Sequence, residues 1–259
     1  MTILEKITSY KKQEVFARKM AFPLSLLKQS KLYNRECFSM AKNVSEGSGI
    51  IAEHKRRSPS KSVINEKVLV PEVVIGYEKA GVSAISILTD TKFFGGSLDD
   101  LLVARAHVNI PLLRKDFIID PYQIHEAKAY GADAILLIAA CLDEKQLKEY
   151  SEIAKQLGMD VLLEIHNEAE LKRSLHPTVD LLGVNNRNLK TFEVSLEASK
   201  RLSTLMPDTY VKISESGISS VDAINELKPF GFKGFLIGER FMKTENPGES
   251  AEHFINALS

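Results

Sequence analysis

"AILLIAACLDEKQLKEYSEIAKQLGMDVLLEIH", residues 134–166, contains one complete folding unit. A leucine- and isoleucine-rich run ends in a turn. A charged stretch follows with apolar residues at helical spacing, a glycine closes it, and a second apolar run begins. Two strands joined through a helix are expected to pair in parallel by a right-handed crossover, because a tight hairpin cannot reach a parallel neighbour.

The same unit recurs on both sides. Strand-like runs are "GIIAEHK" (49–55), "AISILTD" (84–90), "PLLRKDF" (111–117), "AILLIAA" (134–140), "DVLLEIH" (160–166), "LLGVNNR" (181–187), "YVKISES" (210–216) and "GFLIGER" (234–240), eight in all. Between them lie amphipathic segments such as "PEVVIGYEKAG", "YQIHEAKAYGA" and "SVDAINELKPFG", with glycine near the C-terminal cap. Eight strand–helix units close most economically into an α/β fold of the (β/α)8 TIM-barrel type. The rival, an open doubly wound sheet, would carry a glycine-rich fingerprint after its first strand. Here that strand is followed by "HKRRSPSKS", which has no glycine.

The first 45 residues differ. "ILEKITSYKKQEVFARKM" (3–20) has helical spacing, and the proline of "FPLSLLKQS" (22–30) suits a helix start. No Gly/Ser linker follows, so residues 1–259 are expected to form one barrel domain with 1–45 as a helical extension. A chain of 259 residues, 44% hydrophobic and 26% charged, is long enough for such a barrel. Lys plus Arg and Asp plus Glu each number 34, which gives no electrostatic case for nucleic acid or an anionic membrane as partner. Two cysteines form no disulfide framework, and no apolar stretch approaches the ~20 residues needed to span a bilayer. The expectation is a cytoplasmic, monomeric protein acting on a small molecule.

In a parallel barrel the C-terminal strand ends share one mouth, where chemistry sits. Those ends carry Glu53, Lys55, Lys115, Glu164, Asn185, Arg187 and Glu215. Any one of these charges fits a structural ion pair, but the nearly balanced set points to a polar ligand between them. On the last two strands, Ser216, Gly217 and Gly238 stand where backbone N–H groups and helix starts hold a phosphate in this fold. Ser58, after the first strand, offers another donor from the opposite side.

The segments "ILEKI", "KKQEV", "IIAEHKRRSPSK", "ISILTD", "FFGGSLDDL", "PLLRKDFIIDPYQI", "DVLLEIHNEAEL", "GVNNRNLKTFEV", "SESGI" and "GFLIGE" together span nearly the whole chain. In them the sequence resembles the indole-3-glycerol-phosphate synthase family of tryptophan biosynthesis. The resemblance implies a substrate, 1-(2-carboxyphenylamino)-1-deoxyribulose 5-phosphate, which loses carbon dioxide and water as the indole ring closes. It implies Lys115 as general acid, Glu164 as general base and Lys55 as the cation beside the substrate carboxylate, without fixing which lysine protonates at which step. Glu53, Asn185 and Glu215 would line the site. Phe94, Phe117 and Leu136 match positions that flank the anthranilate ring, although core packing is the ordinary role of such residues. Arg187 fits a substrate contact or a loop brace equally well.

Two positions depart from the family pattern. Ser62 stands where glycine is expected, so the loop after the first strand is less free to adopt positive φ. Glu239 stands where a small hydroxyl residue is common. A carboxylate there repels phosphate, so its side chain is expected to turn away and leave only its N–H at the site. The six histidines form no metal-type pair, and His54 and His166, beside site glutamates, fit outer-face or loop positions. No metal and no organic cofactor are expected. Another phosphosugar-barrel isomerase or epimerase, or a barrel that binds phosphosugars without catalysis, would share the glycines but not the full acid–base set.

Overall fold

The computed structural model describes residues 2–189 and 191–258. The apolar runs form β1 (Ile50–His54), β2 (Ala84–Leu88), β3 (Leu112–Lys115), β4 (Ala134–Ile138), β5 (Asp160–Ile165), β6 (Leu181–Asn185), β7 (Val211–Glu215) and β8 (Phe232–Ile237). They pair in parallel in sequence order, and β8 closes on β1. β8 starts at Phe232, two residues before the run beginning at Gly234.

Side chains alternate across each strand. Ile51, Leu113, Ala134, Leu136, Leu162, Leu181, Ile213 and Leu236 fill the barrel. Ile50, Ala52, Ile85, Ile87, Ile135, Leu137, Val161 and Leu163 face the surrounding helices. Each large aliphatic side chain so buried contributes about 2 kcal/mol. The same alternation turns Glu53 and Lys55 inward and His54 outward, and His54 is buried.

Helix α1 (Ile3–Ala21) starts in a capping box in which Thr2 and Glu5 satisfy each other's backbone N–H groups. After the short α2 (Leu24–Leu27), α3 (Met40–Glu46) places Met40 and Val44 against the barrel interior. α1 is fixed by charges. Lys11, fully buried, reaches Asp90 at 2.9 Å, Asp116 at 2.9 Å and Glu14 at 3.0 Å. Arg18 pairs with Glu126, and Lys19 meets Asp120 at 2.7 Å. These contacts tie the extension to the loops after β2 and β3 and to the helix Tyr122–Ala129. Among the described residues no helix is long and apolar enough to cross a membrane.

Candidate active site

A cavity of about 370 Å³ opens at the C-terminal strand ends. Glu53, Lys55, Lys115, Glu164, Asn185 and Glu215 line it together with Ser58, Arg187, Ser216, Gly217, Gly238, Glu239, Phe94, Phe117 and Leu136. The structure therefore brings all fifteen candidate catalytic and substrate-binding residues to one space, while Ser62, His54 and His166 do not line it. It adds Ile3, Leu4 and Ile7 of α1, so the extension lies over the mouth.

Lys115 is the hub. Its Nζ lies 3.4 Å from Glu215, 3.8 Å from Glu164 and 4.0 Å from Glu53. Burial alone would depress its ammonium pKa, but Glu215, Glu164 and Glu53 override it and hold the group well above the ordinary lysine value. Lys55 pairs with the other oxygen of Glu53. Burial would raise the Glu53 carboxyl, yet Lys55 and Lys115 bring it below its usual value. Glu215 goes the other way. Burial, with Glu164 and Glu53 as like-charged neighbours, outweighs Lys115 and pushes it up to about 7.

Two glycines make room for these carboxylates. A Cβ on Gly183 of β6 would collide with Glu215 Oε1, and one on Gly238 would stand 2.5 Å from Glu53 Oε1. Both approaches are closer than real contacts allow, so larger residues would push the charges off their positions.

Just past β7, Ser216 has φ 66° and is followed by Gly217 at φ 80°. Gly238 precedes the short helix Glu239–Met242. The Glu239 carboxylate is drawn to Lys61 at 2.8 Å, and this partner lowers its pKa. Ser62 needs no positive φ: among the described non-glycine residues only Phe192 and Ser216 have one. Its loop is pinned instead by reciprocal Ser58–Lys61 backbone bonds of 2.8 and 3.0 Å. Arg187 lines the cavity and also braces a loop, its guanidinium donating to the Phe192 carbonyl at 3.1 Å. Phe94 and Phe117 lie 5.9 Å apart between ring centroids at one wall.

Sequence reasoning missed two features. Lys11 is a buried anchor of the helix over the mouth, and its partners lie far along the chain. His166, just past β5, is a loop residue as expected, but its Nε2 lies 3.3 Å from Glu164 Oε1. The signal available was spacing: two residues beyond Glu164 along an extended chain is the same face. His54 does take the outer-face position expected of it. Among the described residues, no group of three or more His, Cys, Asp or Glu is placed to hold a metal.

A closed parallel barrel with one charged cavity at its C-terminal strand ends, aromatic on one wall and glycine- and serine-lined on another, defines a small-molecule barrel enzyme. Comparison with known proteins narrows the class. The sequence model of the family "Indole-3-glycerol phosphate synthase" matches residues 4–254. An indole-3-glycerol phosphate synthase of Bacteroides thetaiotaomicron is 48% identical over 257 residues, covering 99% of this chain and 98% of that protein. Those of Variovorax paradoxus and Delftia acidovorans are 42% and 43% identical, each covering 96% of this chain and 97% of its own. The chain belongs to the indole-3-glycerol phosphate synthase family. Solved structures agree in fold alone. KGPDC from Streptococcus mutans has a TM-score of 0.62 at 13% identity, covering 81% of this chain and 96% of that one. A chain of the Pyrococcus furiosus tryptophan synthase complex has a TM-score of 0.61 at 16% identity, covering 82% and 98%.

Proposed function

We propose that this chain is a carboxy-lyase that converts 1-(2-carboxyphenylamino)-1-deoxyribulose 5-phosphate into indole-3-glycerol phosphate, carbon dioxide and water. The family to which it belongs makes indole-3-glycerol phosphate in tryptophan biosynthesis. The observation that carries the residue assignment is the convergence of Lys115 and Glu164 on one cavity that Ser216, Gly217 and Gly238 also line.

The phosphate would rest against backbone N–H groups of the Ser216–Gly217 turn and at Gly238, with Ser58 across from them. The aromatic ring would lie between Phe94, Phe117 and Leu136, its carboxylate facing Lys55. As the carboxylate-bearing ring carbon attacks the ketone, Lys115 gives its proton to the oxygen that would otherwise become an alkoxide. Loss of carbon dioxide returns the electron pair of the broken bond to the ring. The new hydroxyl then leaves as water with a proton from Glu215, and Glu164 takes a proton from the adjacent carbon to complete the indole. Glu53, Asn185 and Arg187 hold Lys55, the sugar hydroxyls and the loop in place.

The reading carries with it a monomer with residues 1–45 as an extension of a single barrel domain. Two free thiols, Cys37 and Cys141, suit the cytoplasm. The test is to add the substrate to purified protein and follow indole fluorescence. Lys115→Ala should lower kcat by about a thousandfold or more while substrate still binds, and normal turnover in that variant would remove Lys115 from the mechanism.

A further inference from the structure

His166 does not line the cavity, yet it is built into the support of the residue assigned as base. Its Nε2 stands 3.3 Å from Glu164 Oε1, at ion-pair distance without a hydrogen bond, while Lys115 approaches the other oxygen, Oε2, at 3.8 Å. The ring is fixed from behind. Nδ1 is hydrogen-bonded to Glu170 Oε2 at 3.2 Å, and the same oxygen accepts the His166 backbone N–H at 2.8 Å. Glu170 is itself held, because the Asn167 side-chain amide donates to its other oxygen at 2.8 Å while Asn167 caps the helix Glu168–Ser174.

We propose that His166, anchored by Glu170, is the positioning residue for Glu164, a second positive partner that keeps the base oriented and charged when Lys115 gives up its proton. This rests on the reading of Glu164 as base. The need follows from the layout of the site. Glu164, Glu215 and Glu53 share the Lys115 ammonium, so proton transfer to the substrate removes their common cation in one step. An imidazolium between two carboxylates persists through that step.

The surroundings favour the charged ring. Glu164 faces it from β5, Glu170 from the following helix and Glu215 from β7, and together they raise its pKa above the ordinary histidine value although burial works against them. Cys141, beside the same carboxylates, is pushed up to about 12 by burial and by Glu164 and Glu170, so it stays a neutral thiol. Arg173 on the same helix is turned to the Ala139 and Leu142 carbonyls.

The experiment measures kcat and KM from about pH 5.5 to 9 for the wild type, His166→Asn, Glu170→Gln and Glu164→Gln. His166→Asn should move the acid limb of kcat upward, so that kcat falls by a larger factor at about pH 5.5 than at about pH 8 while KM changes less than about twofold. Glu170→Gln should shift the limb the same way by less, and it tests the claim even if the histidine variant fails to fold. A profile for both variants that overlays the wild type, whatever its height, overturns the role of His166 while an inactive Glu164→Gln leaves the base reading standing. Normal turnover in Glu164→Gln removes that reading and the proposal with it.

Discussion

Lys115 meets three carboxylates, so it cannot act as an acid by being a destabilised ammonium. Read from the sequence, Lys55 pushes the Lys115 pKa down while Glu53 and Glu215 push back, which leaves the balance open. The structure puts Glu215 and Glu164 nearer still, and the net effect is upward. Such a group releases its proton only to a strong base, and the alkoxide forming from the ketone is one. The proton for the departing hydroxyl needs a different donor. Glu215, held at about 7 by burial and its like-charged neighbours, holds a proton over the lower half of the working range. Replacing it with glutamine keeps the shape and removes that proton. Glu215→Gln should lower kcat by about a hundredfold near pH 6.5 and abolish the fall in kcat as pH rises through 7. An inflection near 7 that survives in the variant would assign it to another group.

Helix α1 is held over the mouth by an interaction its own sequence does not announce. Its buried face consists of Ile7, Lys11 and Val15, a stripe with a charge at its centre. The strands were legible because each needs only a local apolar run ended at a turn, and all eight lie where those runs fall. α1 was legible as a helix but not as a lid, because the buried Lys11 relies, beyond Glu14 on its own helix, on Asp90 and Asp116, which lie on distant loops of the chain. Its Nζ meets Asp116, the residue next to Lys115 in the chain. Lys11→Met should strand the buried Asp90 carboxylate, while Asp116 keeps Arg114 and Thr89, and cost about 3 kcal/mol of stability in urea unfolding. It should also make α1 the first site of limited proteolysis. An unchanged unfolding midpoint would mean that apolar contacts alone fix the helix.

Considered as a whole, the barrel buries ionisable groups on both faces of one strand. The inward set was legible, since the rule that strand ends converge needs only the strand order. The Glu170 anchor of His166 and the consequences of burying His54 were not, because each depends on which side chains of the helical layer lie against the ring. Neither ring nitrogen of His54 meets a hydrogen-bond partner among the described residues, and burial with nearby Arg56 lowers its pKa to about 4. The unfolded chain therefore binds a proton at this site as pH falls below 6.5 while the folded chain resists until about 4, so stability is lost across that range on acidification. Glu215 acts in the opposite sense. Its folded value of about 7 exceeds the ordinary 4.5, so its contribution is complete below 4.5 and disappears as pH rises through 7. Over pH 4.5 to 6.5 the two slopes oppose each other at similar size, and each masks the other. Single replacements should expose them in thermal unfolding followed by circular dichroism. Glu215→Gln should give a melting temperature that climbs relative to wild type from pH 4.5 to 6.5, and His54→Leu one that declines over the same interval. Parallel curves for wild type and both variants would show that neither burial is felt by the folding equilibrium.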